Sequence, residues 1–409
     1  MNMKLIIMLL ATVASAYELL LHIVQYRSAN NPTPKNVADV YDRETYQRWK
    51  QYSGEKCRLQ ILGTAISWAV VMVLLAVNAH SAVAGLFSDN VYVQLIAVLV
   101  FQGLVETAFG AITSYVDTMI IEQKYGFNRS TLKTFIVDQV RDFLIGAVLS
   151  VVMMAVLAWL HTALGDGMVL LFAGLIFLLT LFISFIFPYI SRMSNKFTPL
   201  EEGELKDKLT ALLTSHGYQV RAIEVMDASR RTTKSNAYFT GFGKTKTIVL
   251  YDTLIEAMTA DEICAIFAHE LGHGLNRDVP KQQAMNLVNL LILAVLAWLT
   301  VRTDVMHTAF GFTQVNYGFA YILLGSALLP LVQPLTGMLM SAYSRHAEYR
   351  ADRQAVKEGY GDALVTGLKK LAKENFSHLA PSKLLVILEY SHPPMSERIQ
   401  AIEDAKKNA

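Results

Sequence analysis

Seven stretches of this chain run for about 20 mostly apolar residues, long enough for each to cross the hydrocarbon core of a bilayer as a helix. They lie near 5–25, 59–78, 91–113, 143–161, 168–190, 286–302 and 318–341. Without water to satisfy it, backbone at membrane depth must pair within its own segment, so these runs restrict the chain to a mainly α, multi-pass membrane protein. Composition agrees: 53% hydrophobic residues, 17% charged residues and a mean hydropathy of +0.34 are foreign to soluble domains. A net charge of +2 gives no basis for a nucleic-acid partner. Cys57 and Cys264 form no C-x-x-C pattern and read as unpaired.

Basic residues alternate between the connections. Seven Lys and Arg fall within 26–58 and four within 114–142, whereas 79–90, 162–167 and 303–317 have none. The positive-inside rule then puts the N-terminus outside and the segments 26–58, 191–285 and 342–409 in the cytosol. Lys4, a short apolar run and Ala14-Ser15-Ala16 also fit a cleaved signal peptide, which would invert that arrangement. Four parts follow: spans one to five in 1–190, a soluble segment at 191–285, spans six and seven in 286–341, and C-terminal helices at 342–409. Glu18, His22 and Glu106 lie within spans, where a charge facing lipid is costly, so they should pair in the bundle or face a wet cavity.

The soluble segment reads as an α/β unit. Glu201 to Leu213 is amphipathic, Val220 to Met226 alternates like a strand, and Asn236-Ala237-Tyr238-Phe239 with Thr247 to Tyr251 forms a hairpin signature around Gly241 and Gly243. Its chemistry lies in His269-Glu270-Leu271-Gly272-His273. On a helix, histidines four apart share a face and can grip one zinc ion, leaving a position open for water, with Glu270 beside it as a general base. Thr259 and Glu262 form a capping box that starts such a helix. The bland alternative is two ordinary histidines with an incidental glutamate. An edge strand at Asn236 could hold an extended peptide by main-chain hydrogen bonds, or be an ordinary hairpin.

After the seventh span, Glu348 and Asp352 stand four apart on one helical face. One can bind the metal while the other accepts the second N–H of a ligating histidine, or both can pair with Arg345 and Arg350. His346 points to another side of that helix. Near the C-terminus, Ser391-His392-Pro393-Pro394 precedes a helix bearing Arg398; His392 and Arg398 can steady an oxyanion, or His392 can cap the helix.

Those motifs, with Tyr125-Gly126-Phe127-Asn128-Arg129, resemble in order the Ste24-type CAAX prenyl proteases of the M48 metallopeptidases over most of the chain. The resemblance implies seven long helices enclosing an intramembrane chamber, with a cytosolic α/β zinc-metalloprotease unit. It implies that His269, His273 and Glu348 bind Zn2+, that Glu270 activates water and that Asp352 orients a ligand. Asn236, Ala237 and Tyr238 would hold a peptide or protein substrate, with His392 and Arg398 near the scissile carbonyl. In eukaryotic members the substrate is the C-terminal tripeptide of a prenylated protein. The short loops look more like a bacterial member, placed in the inner membrane with its site facing the cytoplasm and serving membrane-protein quality control. The tail Lys406-Lys407-Asn408-Ala409 points instead to the endoplasmic reticulum. Two rival functions are a site-2-type intramembrane protease, whose L-D-G stretch is missing here, and a metal-stabilised scaffold or transporter.

Overall fold

A computed structural model of the chain describes residues 2–240 and 245–408, so the turn through Gly241 and Gly243 lies outside it. The N-terminal half is helical: α1 (Met3–Ser28), α2 (Arg43–Ala76), a short α3 (Ala79–Ala84), α4 (Val91–Tyr115), α5 (Leu132–Leu164) and α6 (Met168–Ser194). A small α/β unit follows, with β1 (Phe197–Pro199), α7 (Glu204–Ser215), β2 (Gln219–Met226), β3 (Ala237–Thr240), β4 (Thr245–Tyr251), α8 (Asp252–Ala257) and α9 (Ala260–Leu275). Then come α10 (Asp278–Val301), α11 (Val305–Thr308), α12 (Tyr317–Leu323), α13 (Leu329–Lys357), α14 (Gly361–Glu374), α15 (Lys383–Leu388) and α16 (Met395–Lys407).

Among the described residues, 6 helical stretches are long and apolar enough to cross a membrane. One of them, Leu132–Ile186, doubles back at Gly165–Gly167, where Gly165 takes φ +55°, a conformation that costs a residue without Cβ little. Met154 and Leu157 of α5 then pack with Met168 and Phe172 of α6, which accounts for the seven apolar runs of the sequence. The helices outrun their apolar stretches. Helix α2 begins at Arg43 and buries Trp49 and Tyr52 before reaching the apolar run, and α13 continues to Lys357, carrying Glu348 and Asp352 out to the α/β unit.

The connections sort to two ends. At one, Lys4 Nζ donates to the Ala76 carbonyl (2.8 Å) and Asn78 Oδ1 (2.7 Å), Ser81 Oγ to the Phe310 carbonyl (2.7 Å), and Trp298 Nε1 to Asp166 (2.7 Å). This end gathers the three connections that have no Lys or Arg. At the other, Asn36 donates to the Ser396 carbonyl (2.7 Å), Tyr41 to that of Ala372 (2.9 Å), and Trp49 to that of Phe376 (3.0 Å). The 125–129 motif meets 231–233 there: Asn128 bridges Thr232, the Arg129 N–H donates to the Arg231 carbonyl (3.0 Å), and the Thr233 N–H donates to that of Phe127 (3.3 Å). The charged groups inside spans have partners or a cavity. His22 lies 3.7 Å from Glu18, and Glu106 accepts from Gln102 (2.8 Å) while lining a cavity of about 350 Å³ between α4 and α5.

The sheet order is β1-β2-β4-β3, with β2 and β4 parallel and both outer pairs antiparallel, so β3 is an edge. Leu209 and Leu213 of α7, Ile248 and Leu250 of β4, and Ile263, Phe267 and Leu271 of α9 form the core beneath it.

His378, in the loop after α14, clasps α1 to the C-terminal region. Its Nδ1 accepts from the Ala380 N–H (3.2 Å), so Nε2 carries the hydrogen and donates to Ser28 Oγ (2.8 Å), while its ring meets Trp49 edge-on at 4.9 Å. Burial pushes this imidazole down to about 4. The unfolded chain, with an ordinary value near ~6.5, binds the proton between those limits and the folded chain does not, so the clasp's contribution is full above ~6.5 and is lost as pH falls. We expect His378→Gln, which keeps one donor and one acceptor, to reduce the stability lost between pH 7.5 and 5 by about 1–2 kcal/mol, read from melting temperatures of both proteins at both pH values.

Candidate active site

The capping box forms as expected: Thr259 Oγ1 accepts from the Glu262 N–H (3.3 Å) and the Glu262 carboxylate accepts from the Thr259 N–H (2.8 Å). With its start fixed, α9 buries Ile263, Phe267 and Leu271, one turn apart, against the sheet. The rotation this sets aims His269 and His273 at α13, their ring centroids 4.9 Å apart.

Glu348 faces them. His269 Nε2 lies 3.5 Å from Glu348 Oε2, and His273 Nε2 lies 3.3 Å from Oε1. One potential ligand atom from each of the three residues falls within 4.8 Å of the others. Both rings present Nε2 because each Nδ1 is engaged by an aspartate: His269 with Asp352 (2.8 Å), His273 with Asp278 (3.0 Å). A carboxylate can only accept, so each Nδ1 bears a hydrogen, and the neutral ring that a metal ion requires then carries its lone pair on Nε2. Glu348 Oε2 is buried with no hydrogen-bond partner. Two Nε2 atoms converging on a buried carboxylate is a donor set that fits a divalent metal ion, and three protein ligands leave a coordination position open. His346 is exposed.

Asp278 was not singled out by the sequence reading. Helix α9 ends at Leu275, Arg277 takes a left-handed φ of 53°, and α10 starts at Asp278, so the chain folds back and returns this carboxylate to His273 five residues earlier. Tyr343 OH (2.9 Å) and Arg350 (2.6 Å) hold its other oxygen. An Asn-Arg-Asp sequence straight after a metal helix was the available signal. Arg350 thus serves Asp278, and Arg345 donates to the carbonyls of Val386 and Tyr390 (both 2.7 Å), so neither neutralises Glu348 or Asp352. Arg398 takes that place. It is buried, with Nε and Nη2 on the two Asp352 oxygens (2.9 and 2.6 Å) and Nη1 at 3.2 Å from Glu348. His392 Nε2 reaches 3.4 Å from Glu348 Oε1 and its Nδ1 lies 2.9 Å from Ser391 Oγ.

The electrostatics suit a cation. Burial alone pushes His273 down, but hydrogen bonds to Glu348 and Asp278 and the nearby charges of Glu348 and Glu270 outweigh it and lift the imidazole to about 9. Burial likewise opposes charge on His269, and Asp352 and Glu348 overcome it to raise its value. The anionic ring that favours a proton on these rings favours a metal ion, which displaces it. Asp278→Asn, whose amide can donate to Nδ1 and turn the hydrogen of His273 onto Nε2, should weaken metal affinity by about 10–100-fold, measured by competition with a chelating dye.

Asn236 precedes the edge strand, its carbonyl accepting from the Tyr251 N–H (3.1 Å) and its Oδ1 from the Ala237 N–H (2.8 Å). Ala237 and Tyr238 pair with Leu250 and Val249, and Phe239 meets Phe267 of α9 edge-on at 4.9 Å. That contact ties β3 to the helix bearing His269 and His273.

The sequence profile of peptidase family M48 matches residues 199–406, which hold every residue of this site. The chain belongs to peptidase family M48. A second profile, the CAAX prenyl protease N-terminal region with five membrane helices, matches residues 22–196. The chain is 32% identical to the CAAX prenyl protease 1 homolog of Oryza sativa subsp. japonica, over 95% of this chain and 94% of that protein. It is 30% identical to CAAX prenyl protease 1 of Saccharomyces cerevisiae, over 99% and 97%. The crystal structure of S. mikatae Ste24p superposes with a TM-score of 0.91 at 26% identity, covering 98% of this chain and 99% of that one. This M48 protein is therefore a multi-pass membrane metalloendopeptidase, and neither the scaffold nor the site-2 reading is favoured.

Proposed function

We propose that the protein is a zinc endopeptidase that removes the C-terminal tripeptide of CAAX-type substrates, prenylated ones included, at a site on the cytosolic face. The observation that carries the zinc assignment is the donor set: two imidazoles and one carboxylate, each imidazole backed by its own aspartate, match the His-and-carboxylate sets of catalytic zinc sites. Zinc held there supplies Lewis acidity and lowers the pKa of water to about 7. The remaining work belongs to the chain. Glu270 takes the water's proton and passes it to the leaving amine. Asp352 and Asp278 keep the two imidazoles in the ligating tautomer, and Arg398 holds Asp352 and Glu348 in register while offsetting their charge. His392, with hydrogen on Nε2 and Nδ1 accepting from Ser391, donates toward the carbonyl oxygen as it gains charge. Asn236, Ala237 and Tyr238 receive the substrate as an added strand on the free edge of β3.

The location of the site follows from charge: the connections rich in Lys and Arg gather at the end that carries it.

The test is cleavage of a short C-a-a-X peptide, farnesylated and unmodified, by the purified protein, with products identified by mass spectrometry. Release of the tripeptide, abolished by 1,10-phenanthroline and restored by added zinc, is the expected result, and the ratio of the two rates measures what the lipid contributes. A metal-loaded protein that cuts neither peptide would sink the CAAX reading.

A further inference from the structure

The edge strand β3 is only 4 residues long, and the segment that leads into it is fastened to the membrane helices. Arg231 Nη1 donates to Asp138 of α5 (2.8 Å), and the 125–129 motif holds the main chain of 231–233. Lys234 reaches Glu122, where the helix continuing α4 ends (3.2 Å), and its ammonium lies 5.0 Å from the centre of the Phe127 ring. The Lys234 carbonyl accepts from Thr253 Oγ1 (3.0 Å) and the Ser235 N–H donates to Asn375 Oδ1 (3.3 Å), after which Asn236 begins the pairing with Tyr251.

Glu122 is itself firmly held. Its side chain is 13% exposed, Tyr52 OH (2.6 Å) and Lys56 Nζ (2.9 Å) of α2 both donate to it, and Lys56 also pairs with Asp117 (2.8 Å). Asp117 and Glu122 are five apart, a spacing that an α-helix turns about 140° away from one side. Val116–Glu122 is instead wound as a π-helix, whose i→i+5 bonding stacks residues five apart, so both carboxylates meet one ammonium. Two carboxylates and two ammoniums thereby tie α2, α4 and the approach to β3 into one unit.

We propose that Glu122 is a positioning residue for hydrolysis: through Lys234 it sets the height and tilt of the β3 edge, so that a peptide paired to that edge presents its scissile carbonyl at the metal. This rests on the protease and strand-addition readings above. A peptide that binds as an added strand gains its main-chain hydrogen bonds in full only when the edge is already ordered, since ordering it on binding subtracts from affinity. Glu122 lies on a different element from His269, His273, Glu348 and their backing aspartates, so its loss should loosen the edge and leave the metal in place. Glutamine at 122 can still accept from Tyr52, and Lys56 retains Asp117, so Glu122→Gln singles out the tie to Lys234.

The test is steady-state kinetics of the full-length, zinc-loaded protein in detergent on a farnesylated C-a-a-X peptide and on versions of it with one main-chain nitrogen methylated at a time. In the wild type, methylating a nitrogen that pairs with β3 should raise KM by about tenfold or more. Glu122→Gln and Lys234→Met should each raise KM for the unmethylated peptide about fivefold or more, with kcat within about threefold and zinc content unchanged, and should lose most of the sensitivity to that methyl group. Because both residues act through one contact, the double variant should be no worse than either single one, and Lys234→Arg, which keeps the charge, should stay near wild type. Wild-type KM in Glu122→Gln and Lys234→Met, additive effects in the double variant, or a loss of kcat and zinc with methyl sensitivity intact overturns the positioning role while leaving the protease reading in place. A wild type that cuts every methylated peptide as well as the parent overturns strand addition and the positioning role with it. A zinc-loaded wild type that cuts none of them overturns the protease reading itself.

Discussion

Glu270→Gln is expected to keep its metal and lose hydrolysis by about a thousandfold or more, the scale of general-base catalysis at a metal-activated water. The retention half follows from the ligand set. The ligating atoms come from His269, His273 and Glu348, and the backing aspartates are Asp352 and Asp278, so Glu270 holds none of them in place. It touches the site only through space, by adding negative charge near His273 and Arg398. Removing that charge should change metal affinity by a few-fold at most. The activity half follows from chemistry: a glutamine amide has nearly the shape of the carboxylate but cannot accept the water's proton at neutral pH. Metal content by mass spectrometry and cleavage of the C-a-a-X peptide, run on the same preparation, separate the two halves. Turnover within tenfold of wild type in a metal-loaded Glu270→Gln would assign the base elsewhere.

How much of this was legible in sequence depended on the range of the interaction. The spans could be read because a bilayer demands length and apolarity from each segment on its own, and the start of α9 because a capping box is complete within four residues. The pairing of His269 with His273 is equally local. Glu348 was reachable because its helical spacing to Asp352 is written in the chain, although the choice between them as ligand waited on the resemblance. What failed to show were contacts that depend on two elements meeting. Arg398 was placed by resemblance at the scissile carbonyl, and the structure commits two of its donors to Asp352, 46 residues away in sequence. Asp278 needed the left-handed turn at Arg277 to come back to His273. The sequence-range limit also explains the helix ends: hydropathy marks where α2 and α13 are apolar, while burial of Trp49 and Tyr52, and of Glu348 and Asp352, determines how far they continue.

Gly272 is the clearest case, because the motif reading gave it no role and the packing gives it a large one. It sits where α9 crosses α13, opposite a column of fully buried alanines at 347, 351 and 355. A Cβ on Gly272 would lie 2.7 Å from the Ala351 Cα and 3.0 Å from the Gln354 Cβ, backbone and rigid stem that cannot swing aside. In an exposed helix, Gly→Ala stabilises by about 1 kcal/mol through propensity. Here the two helices must separate, and overpacking of this kind costs about 1–3 kcal/mol, so the clash wins. The separation also has a direction: it draws His273, the next residue, away from Glu348 on the other helix, and the 3.3 Å approach of Nε2 to Oε1 is what a shared metal requires. Gly272→Ala is therefore expected to lower metal affinity by at least about tenfold and the melting temperature with it, and Gly272→Val to abolish metal binding. Gly274 supplies the control on the same helix, since a Cβ there meets only the hydroxyl end of Tyr218, at 2.7 Å, which can rotate. Gly274→Ala should keep metal and activity near wild type. If Gly272→Ala binds metal as tightly as Gly274→Ala, close approach of α9 and α13 is not what sets the geometry of the metal site.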